Sequence, residues 1–218
     1  MRRPIRSSLH IVLLALLATC PPRASAQGSG PGGAPPSTTL SDEEQASLEA
    51  IRDFVRAAAA RYRMLAPLEV SVASWVGPGG LPQYANAPAV YTRGALYLNR
   101  RLLKASNRDL VIAKSLAYEM LRAPSKATTV AERDRERATL SLESNARAVA
   151  ILVEVGGLTE ETALEEMYAW LHAIHRAARD GGRPPSPGGV SACDEIADLL
   201  RRHPAVKEQF AGRECAPL

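Results

Sequence analysis

Aromatic side chains are scarce in this 218-residue chain, at 5% of the residues. That scarcity removes the stacking platforms on which single-stranded nucleic acid is held. A glycine-rich loop of phosphate-binding spacing is missing, so no nucleotide site is indicated. Ser115 and Ser141 have no histidine at a telling spacing, which leaves serine catalysis without support. There is no internal repeat. Long apolar runs are absent too: the longest, Ile11 to Ala18, falls short of the about 20 residues that cross a bilayer. Cysteine is limited to Cys20, Cys193 and Cys215.

What the first residues do contain is ordered. Arg2, Arg3 and Arg6 precede the leucine-rich run, Pro21 and Pro22 break it, and Ala24-Ser25-Ala26 supplies small residues. This is the order of a cleavable secretory signal. The expectation is a signal peptide over 1–26, a mature chain beginning at Gln27, and export to the periplasm or the medium. Leu17-Ala18-Thr19-Cys20 offers a second reading, a lipid anchor on Cys20, although threonine before the cysteine fits poorly. The charge agrees with a leader. Of 27 basic residues, Arg2, Arg3, Arg6 and Arg23 lie in it, leaving 23 against 23 acidic residues. The formal charge of +4 is therefore a property of the leader and does not point to nucleic acid. Export also gives meaning to Cys193 and Cys215, an even pair in an oxidising compartment. A disulfide between them is expected to contribute on the order of 3 kcal/mol.

Residues 27–40 are Gly/Pro/Ser-rich and read as a tether. Ser41 with Glu44 has capping-box spacing, and Leu48, Ile51, Phe54, Val55 and Ala58 follow at helical intervals. Alternation predicts strands at 68–72, 88–92 and, most clearly, Ala95 to Asn99. A helical turn at 101–104 follows. Asn107 is placed to cap a mostly apolar helix from Asp109 to Arg122. The charged stretch 132–137 leads into a long helix ending at Gly156-Gly157, and another helix starts at Thr159-Glu160-Glu161. Residues 181–190 read as a linker. Residues 191–218 read as a disulfide-stapled helical hairpin standing apart as a small appendage. The expected fold is α+β and predominantly helical, with a small sheet.

Within 95–155 the order is distinctive. A strand ends in Leu-Asn, a turn reads "RRLL", an apolar helix contains Leu116-Ala117-Tyr118-Glu119-Met120-Leu121-Arg122, and the next helix contains "ESNARAVAILV". This resembles the H-E-x-x-H zinc metallopeptidases of the gluzincin type. In that family an edge strand lines the substrate cleft, one helix carries H-E-x-x-H, and a second supplies a glutamate as third zinc ligand. The resemblance implies a zincin-like domain over 41–180. It sets Tyr118 and Arg122 where the histidines stand, Glu119 where the catalytic glutamate stands, and Glu143 at the third-ligand position.

Both histidines are thus replaced. Histidines four apart share a helix face and together grip zinc, and the glutamate between them activates the bound water. Tyrosine ligates poorly at neutral pH, and arginine, always protonated, does not ligate. The expectation is a pseudopeptidase without zinc or other cofactor. It would bind a protein or peptide by strand addition beside 95–99 without cutting it. An Arg122–Glu143 ion pair is expected in place of the metal, with Tyr118 hydrogen-bonded to Glu119 or Glu143.

Two alternatives stand. One is an active metal-dependent hydrolase using Glu119, Glu143, His172 and His175, the two histidines lying three apart with Glu165 and Glu166 nearby. The other is a helical envelope protein unrelated to peptidases. Trp75, Tyr84, Tyr91 and Tyr97 fit either a groove beside 95–99 or the core, with the core favoured.

Overall fold

A computed structural model describes residues 39–64, 69–73, 88–92, 94–180 and 190–210. The expectations for the leader 1–26, Cys20, residues 27–38 of the tether, Trp75, Tyr84, the linker residues 181–189 and Cys215 lie outside these residues, as does the side chain of His175.

Helix α1 spans Asp42–Tyr62 and opens on the anticipated capping box. Ser41 Oγ accepts from the Glu44 amide at 3.3 Å, and Glu44 accepts from the Ser41 amide at 3.0 Å. These contacts satisfy donors that a helix start otherwise leaves unpaired. Leu48, Ile51, Val55 and Ala58 form its buried stripe. Glu44 is buried as well, and Arg100 explains why: its guanidinium meets Glu44 Oε1 at 2.9 Å and Oε2 at 2.5 Å. That pairing, with the Ser41 amide, holds the Glu44 carboxyl down at about 2.

Strands β1 (Glu69–Ala73), β2 (Ala89–Thr92) and β3 (Ala95–Asn99) form one mixed sheet in the order β1-β3-β2. β1 runs parallel to β3, and β2 runs antiparallel to it. The register aligns Val70 with Leu96, and Leu96 with Tyr91, on one face of the sheet. β3 is therefore the middle strand, with both sides already paired. This corrects the expectation of a cleft beside 95–99 open to strand addition. The strand is the most apolar of the three, and central positions take such strands. Among the described residues the outer strands are β1 and β2.

Asn99 ends β3 by accepting from the Arg101 amide at 3.0 Å, which starts the 3₁₀ turn Arg100–Lys104. Helix α2 spans Arg108–Leu121. Asn107 precedes it but makes no side-chain cap bond, contrary to expectation, because its backbone (φ −93°, ψ 21°) is not in the extended conformation of a capping residue. Eight successive residues, Leu110 to Ala117, are buried, so α2 is enclosed on all sides and not merely along a stripe.

Helix α3 (Val130–Glu154) starts on a Thr129–Glu132 capping box, two residues ahead of the charged stretch. Its first ten residues are largely exposed, and its second half carries the buried Ser144, Asn145, Ala148, Val149, Ile151 and Leu152. The helix stops where the sequence indicated. A Cβ on Gly156 would lie 2.6 Å from the Leu152 carbonyl oxygen, and Gly157 has φ +70°.

Helices α4 (Glu160–Asp180), α5 (Ala192–Arg202) and α6 (Pro204–Lys207) complete the fold. Ile196, Leu199, Val206 and Phe210 join the same core as α1 to α4, and Phe210 packs on Tyr168 with centroids 4.9 Å apart. Residues 191–210 thus pack on the same core, which corrects the expectation that they stand apart as an appendage: their apolar side chains are buried there. No disulfide is seen among the described residues. Half-buried Cys193 is the second residue of α5, and Cys215 lies outside them. The fold is predominantly helical α+β with a small mixed sheet. No described helix is long and apolar enough to cross a membrane.

Candidate functional site

Tyr118 and Glu119 lie in the last turn of α2, and Arg122 is its C-cap. Arg122 Nη1 lies 3.5 Å from Glu119 Oε2, the i,i+3 pairing that helix geometry favours. Arg122 is exposed, and Tyr118 and Glu119 are half-buried. Burial raises the Tyr118 hydroxyl above its ordinary value, with Arg122 and Arg137 pulling it back and Glu119 pushing it further up. Tyr91, on β2, is raised first by burial and then by the Glu119 charge. Both tyrosines thus feel the Glu119 charge. Tyr97, from β3, is half-buried.

Glu143 is engaged elsewhere. Arg202, at the end of α5, reaches its Oε1 at 2.8 Å and Oε2 at 3.4 Å, and also holds Asp198 at 2.7 Å. The expected Arg122–Glu143 pair does not form. Position 143 faces α5, which lies outside the 95–155 stretch, and the guanidinium that reaches it belongs to Arg202. Of the alternative metal donors, His172 stacks on Tyr168 at 5.9 Å between centroids. Burial raises the Glu166 carboxyl, and Asp109 raises it further. Among the described residues no three His, Cys, Asp or Glu side chains converge to hold a metal.

The most unusual chemistry lies one turn earlier in α2. Lys114 is 3% exposed in the middle of the apolar run. Its Nζ donates to Asn145 Oδ1 on α3 and lies 3.8 Å from Glu195 Oε1 on α5. It also stands 5.3 Å from the centroid of the Trp170 ring on α4. Glu195 is 8% exposed, and its carboxylate accepts from Ser141 Oγ. Ser144 donates to the Ser141 carbonyl at 2.8 Å. Burial drives the Lys114 amine down to about 8, against the partial compensation of Glu195. Four helices thus meet on one buried ion pair. Ser115 donates to the Val111 carbonyl at 2.9 Å. The hydroxyls of Ser115 and Ser141 are thus both engaged in hydrogen bonds.

The chain matches no protein-family model, no curated protein and no solved structure.

Sequence reasoning placed Tyr118, Glu119, Arg122 and Glu143 on the right elements but missed Lys114, Asn145, Glu195 and Arg202. One signal was readable: Lys114 is the lone charge in the run Leu110 to Ala117. A lysine in a fully buried helix requires a partner.

Proposed function

We propose that this chain is an exported, non-catalytic protein of the cell envelope, a pseudopeptidase that binds a peptide or protein partner without cutting it. The observation that carries this reading is the state of the two carboxylates a zinc peptidase would need. Glu143 is bound by Arg202 at 2.8 Å, and Glu119 is paired with Arg122 at 3.5 Å. A guanidinium beside each carboxylate places positive charge where a cation would have to sit, and neither guanidinium deprotonates at working pH. Tyr118 in place of a histidine adds no ligand at neutral pH. The same groups suit binding: half-buried tyrosines beside an exposed arginine are common anchors for a partner. With β3 paired on both sides, an extended partner would lie along β2, next to Tyr91 and Tyr118.

The test uses protein purified without chelators or a histidine tag. Zinc content is measured, and cleavage of a mixed peptide library is followed with and without added zinc. The expected result is zinc well below one per chain and no cleavage above buffer. Stoichiometric zinc that is lost in Glu143→Gln, or cleavage abolished by Glu119→Gln, overturns the reading and installs an active hydrolase. The exported form should have the mass of a chain beginning at Gln27. A lipidated chain beginning at Cys20, or an uncleaved one, refutes the expected leader cleavage.

A further inference from the structure

Helix α5 docks through a face of mixed character. Its four buried residues are Glu195, Ile196, Asp198 and Leu199, so half of the docking stripe is carboxylate. A helix seated permanently on a core normally presents an apolar stripe. Here the seat is assembled from charge. Glu195 meets Lys114 of α2 at 3.8 Å and takes the Ser141 hydroxyl of α3. Arg202 spans from Asp198 in its own helix to Glu143 of α3. At the end of α5, His203 Nδ1 lies 2.6 Å from Glu160 Oε1 at the start of α4.

These contacts have a common property. The buried members, Lys114, Glu195 and Asp198, recover hydration when the helix leaves, so undocking is offset by solvation in a way that separation of two apolar surfaces is not. The apolar part of the seat is Ile196, Leu199 and half-buried Leu200 in α5, with Val206 and Phe210 following. Most of the buried apolar residues lie outside this segment, in α1, the sheet, α2, the second half of α3 and α4.

We infer that the segment from α5 to Phe210 is a releasable strap, opening as a unit from α3 and α4 while the remainder of the domain stays folded. Opening uncovers the Lys114 amine, which is 3% exposed when the strap is docked, and releases the already exposed Glu143 carboxylate from Arg202. A partner whose cation takes the place of Arg202 on Glu143 competes with strap closure. The inference goes beyond the binding role proposed above and does not depend on it.

Two readouts on the full chain test it. Native-state hydrogen exchange at low denaturant is expected to show amides of α5 exchanging at least about tenfold faster than the slowest amides of Leu110 to Ala117, with a weaker denaturant dependence. Acylation with acetic anhydride reports the uncovered amine, because Lys114 can be compared with the exposed Lys104 and Lys126 in one digest. Glu195→Gln leaves the buried ammonium without its counter-charge and is expected to raise Lys114 labelling and α5 exchange by about tenfold or more, leaving α1 unchanged. The double variant Lys114→Met with Glu195→Leu makes the seat apolar and is expected to slow α5 exchange to the rate of α2. The parent exchange pattern remains decisive if Glu195→Gln fails to fold. In the parent, α5 amides that share both the rate and the denaturant dependence of α2 overturn the strap, because the helix then opens only with the whole domain. Lys114 labelled only under fully denaturing conditions overturns it equally.

Discussion

A buried ammonium makes stability depend on alkaline pH in an uncommon direction. Lys114 takes up its proton near 8 in the folded chain and at its ordinary 10.5 once unfolded, because burial disfavours the charged form and Glu195 only partly restores it. Below pH 8 both states hold the proton, and Lys114 contributes no slope. Between about pH 8 and 10.5 the unfolded chain binds the extra proton, so the free energy of unfolding rises with pH. At roughly 1.4 kcal/mol per pH unit, the gap between the two values corresponds to about 3 kcal/mol. The group is almost fully buried, so solvent screening does little to reduce that figure. Tyr62, Tyr91 and Tyr118 act oppositely at higher pH: burial raises each hydroxyl, the unfolded chain loses those protons first, and stability falls above about pH 10. The expected profile therefore climbs from pH 8, peaks near 10 and declines. Urea unfolding followed by far-ultraviolet circular dichroism at half-unit steps from pH 7 to 11 measures it. Lys114→Met should lose the climb and keep the decline. A parent profile that is flat or falling between pH 8 and 10, or a climb of equal size in Lys114→Met, refutes the assignment.

Other substitutions separate core, surface and turn. Leu116 is fully buried, so Leu116→Ala should cost about 2–5 kcal/mol in urea unfolding, and a cost under 1 would contradict close packing there. Arg122→Ala should cost less than about 1 kcal/mol, since its pair with Glu119 is long and partly exposed; a loss of 3 kcal/mol would reveal a buried role. Gly156→Ala should cost about 1–3 kcal/mol in the same assay, because its Cβ meets the Leu152 carbonyl oxygen, and a neutral effect would show that the turn relaxes easily. On the acid side, the Glu44 carboxyl is held at about 2 against an ordinary 4.5, first by Arg100 and then by the Ser41 amide. Its contribution is complete above pH 4.5 and disappears as pH falls through 2, so acid unfolding of Arg100→Ala should begin at higher pH than that of the parent.

Much of the architecture was legible from local pattern. The capping box at Ser41 and Glu44, the stripe Leu48–Ile51–Val55–Ala58, the strand 95–99 with its Asn99 stop, and the Gly156-Gly157 terminus all appear where the residues indicated. These are determined within one or two turns of chain, by backbone donors, side-chain periodicity and glycine conformation. The position of β3 within the sheet was not legible, because alternation marks a strand without saying which strands lie beside it. Nor was the partner of Glu143: an i,i+3 pair such as Glu119–Arg122 can be read along one helix, whereas Arg202 lies 59 residues away on α5. The lone lysine of α2 announced that some partner was needed. Only the packing of α3, α4 and α5 around it decided that the partner would be Glu195, because a buried charge is compensated by groups that tertiary structure brings near and not by neighbours in sequence.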